Sequence, residues 1–177
     1  MNATMNATAQ SDTPVKNMFI GSDMLTSRQR GFEVVPDEYR TYPDEEIRLP
    51  KRATGGSACY DVYSPASVYI APHSRTIIST DVRAYMQPGE ALLAYPRSSM
   101  GKIPMRLANG TGVIDSDYYG NATNGGNIAI MLHNLSDETI DVRQGDRICQ
   151  MMFVPCLLAD DDTADTVREG GWGSTGM

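Results

Sequence analysis

The residues with the widest chemical scope in this chain lie in one short stretch, Asn109-Gly110-Thr111-Gly112-Val113-Ile114-Asp115-Ser116-Asp117-Tyr118-Tyr119-Gly120. Val113 and Ile114 are an apolar β-branched pair set between glycine-rich turn chemistry and two carboxylates, with an aromatic pair and a further glycine after them. The pattern predicts a tight hairpin whose tip presents polar groups. A carboxylate at such a bend can be held rigidly as a base beside a flat pocket, because strand backbone fixes side-chain direction better than a loop does. Read locally, the same Asp-x-Asp-Tyr is an ordinary solvated turn, so its chemistry has to be argued from the rest of the chain.

The remaining reactive residue types narrow the field. A formal net charge of −7 argues against a broad nucleic-acid footprint, which needs an excess of Lys and Arg along a phosphate backbone. A small polyanion would need locally placed arginines and a divalent cation to offset repulsion. Cys59, Cys149 and Cys156 are odd in number and show no Cys-x-x-Cys spacing, so each reads as a small buried residue rather than a ligand, disulfide partner or nucleophile. His73 and His133 are the only histidines and lie far apart, which argues against a zinc site or a His-based triad. No run approaches the roughly eighteen apolar residues that cross a bilayer, and the N-terminus lacks a basic region followed by an apolar core. The chain therefore reads as intracellular and cytoplasmic, without a membrane partner, and the sequons at Asn2, Asn6, Asn109, Asn121 and Asn134 read as chance matches.

The elements that must position these residues read as β. With 177 residues, the chain suits one domain with tails. Short β-branched and aromatic runs at 57–63, 67–71, 75–80, 82–86 and 90–95 are punctuated by Gly, Pro, Asp or Ser, and others follow at 127–133, 138–142 and 147–154. This is the pattern of an all-β sandwich or barrel, with the nearly all-apolar last run as a central strand. No window keeps a 3.6-residue period over three turns; one helical turn is expected near 99–107, where Pro104 limits it. Asn121-Ala122-Thr123-Asn124-Gly125-Gly126 reads as an extended hairpin tip. Three regions follow: residues 1–45, a flexible or wrapping N-terminal extension; 46–160, the β domain; and 161–177, a flexible tail whose end places four glycines around the single Trp172.

Taken together, five separated motifs in order resemble those of the trimeric dUTP diphosphatases (dUTPases). They are Gly56-Ser57-Ala58-Cys59-Tyr60-Asp61, Pro96-Arg97-Ser98-Ser99, the Asn109 to Gly120 stretch, Gly145-Asp146-Arg147-Ile148-Cys149-Gln150, and Glu169-Gly170-Gly171-Trp172-Gly173-Ser174-Thr175-Gly176. The resemblance covers residue 45 to the end. It implies a jelly-roll-like β subunit in a homotrimer, with three sites at the subunit interfaces and exchanged C-terminal arms. It also implies cleavage of dUTP to dUMP and pyrophosphate with Mg2+ on the triphosphate, a reaction that keeps uracil out of DNA and supplies dUMP for dTMP synthesis.

Through the resemblance each site residue acquires an expected task. Asp115 falls where the family's base activates the water that attacks the α-phosphorus in line. Asn109, with the backbone of Gly112, Val113 and Ile114, falls where uracil is read; a narrow pocket there excludes the thymine methyl by clash and cytosine by mismatched donors and acceptors. Tyr118 falls where a ring packs on the deoxyribose and leaves no room for a 2′-hydroxyl. Arg97, Ser98 and Gln150 fall at phosphate-contacting positions, with Ser99 beside them. Asp61 resembles the carboxylate that holds magnesium through water, with an arginine partnership as the alternative reading. On the arm, Trp172 stands where the family has a Phe that stacks on uracil, joined by Gly173 and Ser174, and Arg168 lies one place after the family's phosphate-binding arginine, whose slot holds Val167.

Gly145, Asp146 and Arg147 read as turn and scaffold residues. The N-terminal extension and the 122–126 insertion could offer surfaces to a protein partner. A dCTP deaminase on the related scaffold would need a Glu near the exocyclic amine, and residues 109–120 contain none. The third reading is a dUTPase-like protein that acts as a regulatory binding partner.

Overall fold

Alternating side-chain burial builds this protein from strands. In the computed structural model, which describes residues 28–164 and Gly170, eleven strands are present. They are β1 (Gly31–Val34), β2 (Tyr60–Tyr63), β3 (Val68–Ile70), β4 (Arg75–Ser79), β5 (Val82–Tyr85), β6 (Glu90–Tyr95), β7 (Met105–Leu107), β8 (Gly112–Asp115), β9 (Ala129–Asn134), β10 (Ile140–Val142) and β11 (Arg147–Pro155). All pairings are antiparallel, in sheets ordered β2-β11-β6-β8, β4-β9-β7, β1-β5 and β3-β10. In β9, Ile130, Leu132 and Asn134 turn inward while their neighbours stay half exposed, the period-2 pattern of a strand with one buried face.

Ile70, Ile78, Leu92, Leu132, Ile148 and Met151 are the largest apolar side chains that are fully buried, and they form one core. Burying each contributes about 1.5–3 kcal/mol. The buried Asn134 amide donates to the carbonyls of Ile70, Ala71 and Glu138 at 2.9, 3.1 and 2.7 Å, so a polar group inside the fold ties β9 to the end of β3. The long β11 lies between β2 and β6, as the central strand its apolar run predicts. No helix among the described residues is long and apolar enough to cross a membrane.

The structure corrects three local expectations. Residues 109–120 do not form a self-paired hairpin: β7 pairs with β9, whereas β8 leaves that sheet and pairs with β6, Gly112 opposite Ala94 and Asp115 opposite Ala91. At Gly112 a β-carbon would come within 3.2 Å of Ala94 Cβ, so a larger residue there would have to push β6 slightly away. The helical turn is 3-10, Ser98–Lys102, and ends before Pro104. The 121–126 segment is a closed loop rather than an extended tip. Asn121 accepts from Gly125 N–H at 2.7 Å through its carbonyl and from Thr123 N–H at 2.9 Å through its side chain.

The cysteines also differ from expectation, since only Cys149 is buried; Cys59 is half-buried and Cys156 exposed. Burial pushes the Cys149 thiol far up, with the negative charge of Asp61 adding to the effect, and raises Cys59 for the same reasons. A thiol-reactive disulfide reagent added to the native protein is therefore expected to modify Cys156 first, Cys59 slowly, and Cys149 only after denaturation. Three equal rates in the native state would contradict this packing.

Candidate active site

Three strands bring the first, second and fourth motifs together. On β11, Gln150 stands opposite Asp61 of β2 on one side and Tyr95 of β6 on the other. Beyond Tyr95 the chain turns at Pro96, and Arg97 opens the 3-10 turn, with its carbonyl accepting from Met100 N–H at 2.9 Å. The Met100 side chain is buried, and its sulfur lies 3.4 Å from the Arg97 N–H, which anchors the turn to the core.

The guanidinium of Arg97 is aimed by its neighbours. Its Nε donates to Asp61 Oδ1 at 2.7 Å, and its Nη1 donates to Ser99 Oγ at 3.1 Å. The other Asp61 oxygen, Oδ2, faces Arg147 Nη1 at 3.4 Å. Gln150 Nε2 donates to the Pro96 carbonyl at 3.0 Å, which holds the chain just before the arginine. Asp61 is 8% exposed and the Arg97 side chain 18%. Within this part-buried pair each charge compensates the other's loss of solvent, so removing one partner is expected to destabilise the fold. Ser98 and Ser99 are exposed on the same turn. The cluster can present a fixed, planar cation and hydroxyl donors to an anion.

The arginine partnership of Asp61 is present in this geometry. Both carboxylate oxygens are engaged by guanidinium groups, and no three His, Cys, Asp or Glu side chains among the described residues gather as a metal-binding group. With both oxygens engaged in this way, Asp61 would meet a magnesium ion through water rather than directly. Arg147, read from the sequence as scaffold, belongs to this cluster; its place after the Gly145 turn, on the strand that carries Gln150, was the signal for it.

Asn109, Asp115 and the strand between them lie along a different edge. Asp115 is exposed at the end of β8, and a 3-10 turn, Ser116–Tyr118, starts directly after it. Val113 points outward at 59% exposure, Ile114 packs partly on the core, and the exposed Asn109 folds its amide back towards Gly112. Asp115 lies opposite Ala91, whereas Arg97 follows Tyr95, so the two sit towards opposite ends of β6, on the order of 13 Å apart along the strand. One chain does not bring its own Asp115 and Arg97 together.

Tyr118 is set deeper than a ring open to a sugar. It is 8% exposed within the core cluster, its hydroxyl donating to the Asn127 carbonyl at 3.2 Å and accepting from Asn124 Nδ2 at 2.7 Å. What it offers a ligand is a fixed wall. Arg168, Trp172, Gly173 and Ser174 lie outside the described residues.

Comparison with known proteins bears on this arrangement. The dUTPase family model matches residues 45–176. The deoxyuridine 5′-triphosphate nucleotidohydrolase of Lactococcus lactis subsp. lactis is 43% identical over 150 residues, spanning 83% of this chain and 97% of that protein. Its counterpart from avian adenovirus 8 is 38% identical over 132 residues, 72% of this chain and 77% of the relative. Among solved structures, the dUTPase of Streptococcus mutans superposes with a TM-score of 0.66 at 37% identity, covering 73% of this chain and 98% of that one. The family match takes in every strand from β2 onward, and relatives from bacteria and a virus agree with it: this chain is a member of the dUTPase family.

Proposed function

We propose that this protein hydrolyses dUTP to dUMP and pyrophosphate, taking the nucleotide as its magnesium complex, in a homotrimer whose sites are shared between subunits. The observation that carries the reading is the convergence of Asp61, Arg97 and Gln150 from three neighbouring strands at the start of one turn. In this scheme Arg97 and Ser98 grip the phosphates, and Asp61 and Ser99 hold the guanidinium still. Asn109 and the backbone of 112–114 read the uracil edge, and Tyr118, immobilised by its two hydrogen bonds, walls off the sugar where a 2′-hydroxyl would sit. Asp115, on the same segment as Asn109 and Tyr118 and so from the same neighbouring subunit, takes a proton from the attacking water. Residues 46–160 form the enzyme domain, and 161–177 the arm that closes over it through Trp172, Gly173, Ser174 and Arg168. Magnesium stays with the triphosphate and keeps most of its waters, which asks no direct ligand of Asp61.

Offering dUTP, dCTP, dTTP and UTP in turn, each with magnesium, and measuring pyrophosphate and ammonia tests the reading. Rapid pyrophosphate release from dUTP and little from the others is expected. No pyrophosphate from dUTP would overturn the activity, and ammonia from dCTP would point to deamination instead.

A further inference from the structure

The segment before residue 45 lies outside the family match, yet it holds the loop that follows Asp115. We propose that this strap, β1 with the 3-10 turn Asp37–Tyr39 after it, is a positioning element for the catalytic strand, and that Glu33 and Tyr39 are its contact residues. The inference rests on the reading of Asp115 as the base.

Three tethers converge on residues 118–127. First, β1 pairs with β5, and Glu33 Oε2 accepts from the Tyr119 hydroxyl at 2.7 Å and from Arg83 Nη2 at 3.1 Å. Glu33 Oε1 accepts from Arg28 at 3.0 Å, and the Arg83 guanidinium stacks 4.5 Å from the Tyr119 ring centre. Tyr119 is thereby fixed by a charge-assisted bond on one atom and a cation on its face.

Second, the Tyr39 ring lies against Gly125. A β-carbon at Gly125 would collide with that ring, and the glycine's φ of 66° is in the left-handed region. Third, Asp81 is fully buried, itself at φ 53°, and its carboxylate accepts from Thr41 N–H, Tyr42 N–H and Asn127 Nδ2, each at 2.8 Å. Asn127 also donates to the Tyr39 carbonyl at 3.1 Å, and its own carbonyl accepts from the Tyr118 hydroxyl.

The path from strap to site is short. Glu33 fixes Tyr119, Asn127 fixes Tyr118, and both tyrosines adjoin the single 3-10 turn that begins at the residue after Asp115. Asp115 is exposed at the end of an edge strand, and the anchoring of the turn behind it sets the direction in which it is presented. Small misplacements of a catalytic group are costly, because the attacking water must be in line with the scissile bond.

The test is a kinetic cycle in the full-length protein. Glu33→Ala is expected to lower kcat for dUTP about ten-fold with KM changed less than about two-fold. Glu33→Gln, which keeps an acceptor for the Tyr119 hydroxyl, is expected to restore most of that loss. In an Asp115→Asn background, adding Glu33→Ala is expected to cause no further fall, because a positioning effect vanishes with the group positioned. An unchanged kcat in Glu33→Ala, or the same fold-loss in both backgrounds, would overturn the strap's role. Should Glu33→Ala fail to fold, Tyr119→Phe removes only the hydroxyl and runs through the same cycle, where an unchanged kcat or an equal loss in both backgrounds again overturns it. Failure of the base assignment shows separately, as near-normal turnover in Asp115→Asn alone.

Discussion

Asp115→Asn is expected to lower kcat for dUTP by about 10²- to 10⁴-fold, the usual worth of a positioned general base, while KM stays close to that of the unchanged protein. The substitution keeps the side chain's shape and one acceptor oxygen, but removes the group proposed to take the proton. Its effect therefore falls on the step in which water attacks, and little on ground-state binding. The fold should not register the change strongly. Asp115 is exposed at the last position of β8 and lies outside the buried core, so the thermal midpoint is expected to move little. Pyrophosphate release under saturating dUTP, alongside equilibrium binding of dUTP, measures both halves. Turnover near that of the unchanged protein would remove Asp115 from the mechanism, whereas a proportional loss of binding and turnover would make it a binding residue.

Much of this was readable in the sequence, and what was not shares a physical cause. Strands with strong alternation or continuous apolar runs declared themselves: β6 spans the expected residues, and β11 is central because nearly all of its residues are apolar and need cover on both faces. β1 and β7 stayed hidden. β1 is four residues long, with Phe32 and Val34 set among Arg28, Arg30 and Glu33, and its strand character comes from a partner distant in sequence, Val34 opposite Val82. β7 has three residues beside Pro104. The expected hairpin failed for the same reason. Turn chemistry at 109–112 shows that the chain bends, but not that β8 takes its partner from β6 rather than β7.

Site residues divide along the same line. Residue types and order pointed to a carboxylate, an arginine and an amide in three separate local motifs, and the fold brings Asp61, Arg97 and Gln150 together. What each carboxylate faces is a long-range fact: Asp61 meets Arg97 thirty-six positions on and Arg147 eighty-six positions on. Composition could not show these contacts. The cysteines repeat the lesson, since residue-type preference for burial holds for Cys149 on the central strand and fails for Cys156 beyond its end.

Mixing two inactive variants is expected to restore activity, and this outcome separates a shared site from one built within a single chain. Arg97→Ala removes the planar cation proposed to hold the phosphates and strips Asp61 of its 2.7 Å partner, so a loss on the order of 10²-fold or more is expected for it alone. Residual compensation of Asp61 by Arg147 at 3.4 Å favours a folded variant. Asp115→Asn alone is expected to be nearly inactive for the separate reason given above. Within one subunit Asp115 and Arg97 lie towards opposite ends of β6, so a site needing both must draw them from different subunits. When the two variants are co-expressed in equal amounts and assemble at random in a closed ring, about a quarter of the sites receive an intact Asp115 from one variant and an intact Arg97 from the other. Activity should then rise to about a quarter of that of the unchanged protein, far above either parent, and fall away as one variant is made to dominate. Were the site contained in one chain, every site would carry one defect or the other, and mixing would leave the rate at the parental level. That result would dismiss the shared site while leaving the chemistry of Asp115 and Arg97 to be judged by the single variants.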